Sequence, residues 1–254
     1  MVENDLIAAG SGIDAYLPKN LVGNADLQAR ATVVKKLDMI PIEAIVRNCL
    51  TGTGLKAYNE TQQVCGHRLP KGLQDGDKLP YLLFTPTTKA DVGHDEHVTA
   101  DIVADEHGFD IERTSIQIFS LMQQFAHERG IILADTKFEF GEDRDNDCAL
   151  VLGDEVATPD SSRYWDVEVW QTMQKSEKRK SPPSFDKQYV REWGIGAGIN
   201  KRDPLVAEDV AWVHAQEVPE DIINGAVELY RHIFYRLTGH DLEAYQQKFM
   251  GIAA

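Results

Sequence analysis

Three charged residues stand at every second position of one short segment. Residues 132–141 read ILADTKFEFG, and the acid, base and acid are Asp135, Lys137 and Glu139. Because side chains alternate between the faces of a β-strand, these charges share one face. The pattern predicts a strand with one buried face and one face that carries either chemistry or a surface salt ladder. The opposite face is predicted to carry Ala134, Thr136, Phe138 and Phe140.

A second acidic segment returns toward the same strand. The residues EDRDND separate ILADTKFEFG from ALVLGDE, which predicts a hairpin that brings Asp154 and Glu155 nearby. Carboxylates repel one another unless a cation joins them, and Mg²⁺ takes one or two carboxylates together with substrate phosphates. Lys137 could hold a phosphate or an acyl oxygen. The hypothesis is a Mg²⁺-nucleotide site; the alternative is a solvent-facing strand with mixed charges.

Two arginines stand beside polar turns that could grip an anion. Arg163 follows the turn PDSS, and Arg47 lies with Glu43 on one strand face just before TGTG. The planar fork of arginine binds two oxygens of a phosphate or carboxylate. Backbone N–H groups and the hydroxyls of Thr51 and Thr53 could complete a phosphate cradle. The alternatives are a surface arginine beside an Asx turn and a structural ion pair.

The sequence predicts the strands and helices that position these residues. TVVKKLDMIPIEAIVRN contains two strand-like runs, and Ile42, Ala44 and Val46 share one face of the second. Apolar periodicity predicts an amphipathic helix over 110–129 that ends at Gly130. A second amphipathic helix begins after Pro219 and ends at Gly239. Strands come first and helices later, which favours an α+β fold.

The remaining segments contain weaker signals. Residues 61–98 are rich in Gly, Pro and polar groups and predict loop, with a short strand near YLLF. Residues 205–217 are predicted to be helical. The run KSEKRKSPPS is predicted to be a solvated loop.

Composition excludes several function classes. The chain has 254 residues and a net charge of −15, which argues against nucleic-acid binding and attraction to anionic membranes. It contains no apolar run of membrane-spanning length and no signal-peptide pattern at its start. Cys49, Cys65 and Cys148 are odd in number and lack CxxC spacing, so they indicate neither disulfides nor a zinc site. We therefore expect a cytoplasmic protein with small-molecule partners.

The motifs together resemble one enzyme family. The matching segments are VVKKLDMIPIEAIVRN with TGTG, FTPTTKAD with GHDEH, ILADTKFEFG, GDEVATPDSSRYW and SFDKQYVREW. They occur from about residue 30 to residue 194 in the order of the SAICAR synthetase (phosphoribosylaminoimidazole-succinocarboxamide synthase) family. IPIEAIVR and ADTKFEFG are specific enough to make chance implausible. The resemblance implies a two-lobed α+β fold with antiparallel sheets and flanking helices.

The resemblance also implies a reaction of purine biosynthesis. A family member joins the carboxylate of CAIR, an imidazole ribonucleotide, to the amino group of L-aspartate, with ATP and Mg²⁺. The products are SAICAR, ADP and phosphate. Because a carboxylate is a poor electrophile, ATP would first convert it to an acyl phosphate, which the amine then attacks.

Residue roles follow from the matched motifs. Glu139 and Asp154 resemble the Mg²⁺ ligands, and Lys137 is predicted to be catalytic together with Asp135. Glu43 and Asp95 resemble groups that hold the polar atoms of CAIR, with Lys89 beside them. The phosphate of CAIR is assigned to Arg47, Thr53 (where the family usually has Ser), Ser162, Arg163 and Arg191. Contact with ATP is assigned to Lys35, Lys36 and Met39, together with the metal ligands.

One departure concerns the start of the chain. The family normally begins with a glycine-rich G-K-V-R-D-like strand and a T-D-R-x-S-like segment, and neither is found here. We therefore expect residues 1–50 to form an incomplete N-terminal ATP-binding lobe and residues 51–254 to form the larger lobe. We expect a monomer or small homo-oligomer. The alternatives are a truncated, inactive remnant that binds only the ribonucleotide, and another Mg²⁺-dependent ATP enzyme on this scaffold.

Overall fold

A computed structural model describes residues 2–89, 96–107 and 110–252. Its strands include one long central element and several two-residue pieces that pair at the margins. The strands are β1 (Glu3–Asn4), β2 (Leu6–Ala9), β3 (Thr32–Val34), β4 (Asp38–Met39), β5 (Ile42–Cys49), β6 (Gln63–Val64), β7 (His67–Arg68), β8 (Lys78–Phe84), β9 (Thr87–Thr88), β10 (Ile131–Asp143), β11 (Ala149–Gly153) and β12 (Ser162–Asp166).

Helices are more frequent in the second half of the chain than in the first, which agrees with the predicted order of strands first and helices later. The α-helices are α1 (Ala25–Arg30), α2 (Gly52–Thr61), α3 (Ala100–His107), α4 (Asp110–His127), α5 (Val167–Met173), α6 (Gln188–Ala197), α7 (Ala207–His214), α8 (Glu220–Thr238) and α9 (Leu242–Phe249), with 3₁₀ segments at Gly10–Tyr16 and Ile199–Lys201. Across the described residues, no helix is both long and apolar enough to cross a membrane.

The main sheet is built around β10. Its principal strand order is β1-β11-β10-β5-β8, with β4 and β12 also paired to β10 and β9 paired to β5. All these pairs are antiparallel except β1 with β11. β5 and β12 flank the first half of β10, whereas β4 and β11 flank its end. One strand therefore contacts segments from four separate parts of the chain.

One face of β10 contributes to the hydrophobic core. Phe138 and Phe140 are buried with Phe119 of α4 and with apolar residues of β5. The predicted alternation is confirmed for these phenylalanines, but Ala134 packs instead with Cys49 and Trp165 in a separate cluster. The pairing of β10 with β12 shifts register between Leu133 and Asp135, and such a shift re-aims side chains locally. The predicted alternation of side chains between two faces therefore does not hold at the beginning of β10.

The predicted helices are found with small differences at their ends. α4 ends two residues before 129, and Gly130 follows with a φ of +71°. α8 ends at Thr238, where Gly239 adopts the left-handed conformation as its C-cap. The apolar stripe of α8 is only partly covered, because Ile233 is buried whereas Ile223 and Val227 remain exposed. α1, α3, α5, α6 and α9 were not predicted from the sequence.

The segment KSEKRKSPPS is a loop between α5 and α6, as predicted, but part of it is not solvated. Arg179 donates to Asp77 from Nη2 at 2.9 Å, and Ser181 donates to Asp75 from its hydroxyl at 2.6 Å. Lys178 and Lys180 are exposed, as predicted. Because the acidic partners lie more than 100 residues earlier, no local pattern indicates these contacts.

The predicted boundary at residue 50 follows β5 directly. This strand, from the first predicted lobe, pairs with β10 and β8 from the second. β1 and β4 also join the same main sheet. Strands from both predicted parts therefore belong to one continuous sheet. The division into 1–50 and 51–254 remains a prediction about function.

Candidate functional site

Three strands bring two arginines to one carboxylate. Asp135 of β10 lies opposite Arg47 of β5 on one side and opposite Arg163 of β12 on the other. Both arginines donate from Nη1 to Asp135 Oδ2, Arg47 at 2.6 Å and Arg163 at 3.0 Å. We call these three residues the arginine cluster. Asp135, which was predicted to be catalytic, therefore forms ion pairs with both arginines.

In the arginine cluster, Arg47 and Asp135 are buried and Arg163 is partly buried. The side chain of Arg47 is 3% exposed. Burial lowers the pKa of Arg47, and the attraction of Asp135 opposes that shift. Asp135 raises the pKa of Arg163, and burial opposes it. Arginine side chains are not deprotonated in proteins, so both guanidinium groups carry a positive charge.

The TGTG turn places the beginning of α2 directly against both arginines. A Cβ atom at Gly52, whose φ is +56°, would lie 3.3 Å from Nη1 of Arg163. A Cβ atom at Gly54 would lie 3.1 Å from Nε of Arg47. Thr53 Oγ1 accepts from Nη2 of Arg47 at 2.9 Å. Glycine is required here because the guanidinium groups approach the backbone closely.

This arrangement forms a candidate anion site. The first N–H groups of an α-helix have no partner within the helix, and the helix dipole favours negative charge there. At α2, those groups adjoin buried Arg47, partly buried Arg163 and the hydroxyl of Thr53. A phosphate or carboxylate matches this set of donors.

A second charged group lies farther along the same face of β10. Lys137 Nζ is 2.9 Å from Glu43 Oε1 and 3.6 Å from Glu139 Oε1. Lys89 Nζ contacts the other oxygen of Glu139 at 2.5 Å. We call Glu43, Lys89, Lys137 and Glu139 the lysine cluster. Burial lowers the pKa of Lys137, but pairing with Glu43 and Glu139 outweighs burial, so the pKa is raised overall.

The two predicted metal ligands come from adjacent strands. Glu139 lies opposite Gly153 at the end of β11, and Asp154 follows with a φ of +58°. No group of three His, Cys, Asp or Glu residues within the described ranges could hold a metal ion. Two carboxylates completed by water and substrate phosphates are nevertheless an ordinary Mg²⁺ environment. The residues fit such an ion if Lys89, whose side chain is 54% exposed, turns away from Glu139.

Some predicted residues lie elsewhere. Lys35 pairs with Glu3 and Asp143, toward the end of β10 away from the arginine cluster. Lys36 and Arg191 are exposed, and neither forms an ion pair with another described residue within 4.0 Å. The structure therefore does not gather Lys35, Lys36 and Arg191 into either cluster.

Three other predicted residues have different positions relative to the clusters. Met39 lies over Gly141, with its Sδ 3.1 Å from the position of a Cβ atom there. The hydroxyl of Ser162 is hydrogen-bonded to that of Thr136 at 2.7 Å. Asp95 lies outside the described residues.

Sequence reasoning missed two buried acids, one beside the arginine cluster and one beside the predicted metal ligand Asp154. Asp186 is buried, and its Oδ2 lies 3.5 Å from Nε of Arg163. Asp5 is buried beside Gly153; burial raises the pKa of its carboxyl, and nearby Asp154 adds a smaller increase against backbone hydrogen bonds. Asp186 belongs to the quoted motif SFDKQYVREW, which could have drawn attention to it. Asp5 lies in a segment without a recognisable pattern.

Comparison with known proteins identifies the family. A sequence model described as SAICAR synthetase matches residues 2–205, which extends the resemblance to both sides of the predicted motifs. Phosphoribosylaminoimidazole-succinocarboxamide synthase of Methylobacillus flagellatus is 44% identical over 235 residues, covering 90% of this chain and 73% of the relative. The Corynebacterium diphtheriae enzyme of the same name is 44% identical over 236 residues, covering 91% and 73%.

Solved structures agree with the sequence relatives. SAICAR synthase from Saccharomyces cerevisiae, solved in complex with SAICAR, has a TM-score of 0.74 and 33% identity, covering 94% of this chain and 76% of that one. A SAICAR synthetase solved with ADP has a TM-score of 0.57 and 24% identity, covering 94% and 73%, and supports the fold alone. The predicted α+β fold and the predicted enzyme family are confirmed. This chain belongs to the SAICAR synthetase family.

Proposed function

We propose that the chain is an ATP-dependent ligase that joins the carboxylate of CAIR to the amino group of L-aspartate. The products are SAICAR, ADP and phosphate. Family membership supports a ligase role in purine biosynthesis. The observation that carries the proposal is the placement of the arginine and lysine clusters along one face of β10. Asp135 and Glu139 are four residues apart, which corresponds to roughly 13 Å in a strand and leaves room for a sugar and a base between the clusters.

The arginine cluster supports binding of the ribonucleotide phosphate. Arg47, Arg163 and Thr53 present donors beside the first N–H groups of α2. Asp135 holds both guanidinium groups, so this geometry favours an orienting role for it over direct contact with the reacting atoms. Because the donors are fixed before the substrate arrives, less conformational entropy is lost on binding.

The lysine cluster supports phosphoryl transfer to the carboxylate of CAIR. In the proposed first step, a carboxylate oxygen attacks the γ-phosphorus of ATP, and ADP leaves. Lys137 would stabilise charge on the transferring group. Glu139 and Asp154 would hold Mg²⁺, which supplies charge neutralisation when bound. Glu43 and Lys89, with Asp95, would hold polar atoms of CAIR.

The second step consumes the acyl phosphate. The amine of aspartate attacks the acyl carbon, the C–O bond to the phosphoryl group breaks, and phosphate departs as the C–N bond forms. The amine loses a proton during this exchange. Positioning of the two reactants, more than covalent help from the chain, lowers the barrier.

Lys35, Lys36 and Met39 are proposed to contact ATP where residues 35–39 approach β10.

A turnover assay tests the proposal. The full chain is incubated with Mg²⁺, ATP, CAIR and L-aspartate, and formation of ADP and SAICAR is followed. We expect ADP formation that depends on both co-substrates. ADP formed without SAICAR, or no ADP at all, contradicts the ligase assignment.

One observation favours the inactive alternative. Lys35 is paired with Glu3 and Asp143, and Lys36 is exposed, so these ATP-assigned lysines do not converge with the lysine cluster. A remnant that only binds the ribonucleotide would retain the arginine cluster. Separate calorimetric titrations with CAIR and with Mg·ATP distinguish the two functions: the ligase binds both, whereas the remnant binds CAIR alone.

A further inference from the structure

The beginning of α2 lacks the side-chain cap that its sequence provides. Thr51 is the N-cap residue, with extended backbone angles, yet its hydroxyl makes no hydrogen bond to the helix. Threonine at this position usually accepts from the N–H of the second or third helical residue. Thr51 is 6% exposed, so bulk water does not explain the difference.

A hydroxyl relay holds Thr51 away from the helix. Its Oγ1 lies 2.9 Å from Oγ of Ser181, and Ser181 Oγ donates to Asp75 Oδ1 at 2.6 Å. An ionised carboxylate only accepts, so the single proton of the Ser181 hydroxyl is committed to Asp75. Thr51 must therefore donate to Ser181.

Several contacts fix the segment 179–181, which carries Ser181. The backbone N–H of Ser181 donates to Asp75 Oδ2 at 3.0 Å. Arg179 donates to Asp77 from Nη2 at 2.9 Å. At Gly76, whose φ is +83°, a Cβ atom would lie 3.0 Å from the carbonyl oxygen of Lys180. These contacts hold the segment 179–181 against the turn before β8.

We propose that Ser181 is a positioning residue that keeps the beginning of α2 open for an anionic group of the substrate. The inference rests on the proposed function, because it concerns the same candidate phosphate site. Ser181 engages Thr51, so the helix N–H groups between Arg47 and Arg163 stay available to the ligand. Without Ser181, the Thr51 hydroxyl is free to cap the helix and compete with the ligand.

The substitution Ser181→Ala tests the competition. We expect it to weaken binding of CAIR, and of inorganic phosphate as a minimal probe, by about fivefold, which is the effect of one helix cap. Isothermal titration calorimetry on the full chain measures both affinities. Ser176→Ala is the matched control, because Ser176 is an exposed serine shortly before the same segment.

The double variant S181A/T51V separates competition from a merely structural role. Valine cannot cap the helix, so we expect the double variant to recover most of the affinity that S181A loses. If the double variant binds no more tightly than S181A, or if S181A matches wild type, the inference is wrong. If wild type binds neither CAIR nor phosphate, the proposed function fails first, and the role of Ser181 fails with it.

Discussion

The two charged clusters on β10 differ in burial and in the way their charges are held. In the arginine cluster, both cations share one carboxylate, and the side chain of Arg47 is 3% exposed. In the lysine cluster, the cations reach Glu139 from two sides, and the side chain of Lys89 is 54% exposed. One cluster is fixed by neighbouring strands and the beginning of a helix, whereas the other includes a long side chain with freedom to move.

This difference matches two different demands of the proposed reaction. A phosphate that remains unchanged benefits from donors set in advance, because ordering the donors then costs little on binding. A centre where a phosphoryl group and a metal ion enter and leave needs groups that can exchange partners. Lysine suits the second demand, since its ammonium is a point charge on a flexible stem, whereas arginine suits the first.

Removal of one acid from the lysine cluster should have the largest effect. We expect Glu139→Gln to reduce Mg²⁺-dependent turnover by about a thousandfold, because charge stabilisation in the transition state is lost. The circular dichroism spectrum should match wild type. Glu142→Gln is the control, because Glu142 is an exposed acid on the same strand. Unchanged turnover in Glu139→Gln would remove Glu139 from the metal role.

Neutralising the shared acid of the arginine cluster should mainly affect stability. Asp135→Asn leaves buried Arg47 and partly buried Arg163 without their common counter-charge, and we expect a loss of about 3 kcal/mol in the free energy of unfolding. Urea titration measures the loss. Asp145→Asn, at an exposed turn position, should change it by less than about 0.5 kcal/mol. Equal stability of the two variants would show that the arginines do not depend on Asp135.

An added methyl group tests whether the arginine cluster is rigid. In Gly54→Ala, the new Cβ atom would lie 3.1 Å from Nε of Arg47, whose Nε donates to buried Thr85 at 2.9 Å. Because Arg47 has little room to yield, we expect CAIR binding to weaken by about tenfold. Gly196→Ala is the control, since among the described residues no atom outside its own helix lies within 4 Å of its Cβ position. Undiminished binding in Gly54→Ala would mean that Arg47 can shift freely.

Alkaline pH should have the smallest effect, a loss of the stability that the ion pairs of Lys137 contribute. Burial lowers the pKa of Lys137, but Glu43 and Glu139 raise it overall. Its ion pairs therefore stabilise the fold fully below the unfolded pKa of 10.5 and lose that contribution as pH rises through the higher folded value. We expect Lys137→Arg to lose less stability than wild type as the pH rises above about 10.5, measured by urea unfolding. Lys175→Arg, at an exposed position, should behave like wild type.

Local patterns predicted several elements correctly. The alternation in DTKFEFG identified the strand and its charged face, since a period of two depends only on neighbouring residues. Gly130 and Gly239 marked the ends of α4 and α8, because a left-handed residue after a helix is also a local requirement. The family motifs identified Arg47, Thr53 and Arg163, which the structure brings together.

Predictions failed where a distant partner decided the outcome. Arg179 was assigned to a solvated loop, but it pairs with Asp77, 102 residues away in sequence. Ala134 packs in a different cluster from Phe138 because the pairing of β10 with β12 shifts register. Neither the partner of a charge nor a shift in strand register is encoded by the periodicity of one segment.

The amino-acid sequence alone determined the family, the α+β class and the charged face of β10, because motif order and side-chain period are properties of the chain itself. Only the tertiary structure decided that Asp135 lies between Arg47 and Arg163, and that Thr51 hydrogen-bonds to Ser181 instead of capping α2. Those contacts join residues 28 to 130 positions apart. They depend on strand register and loop packing, which form only when the whole sheet is assembled.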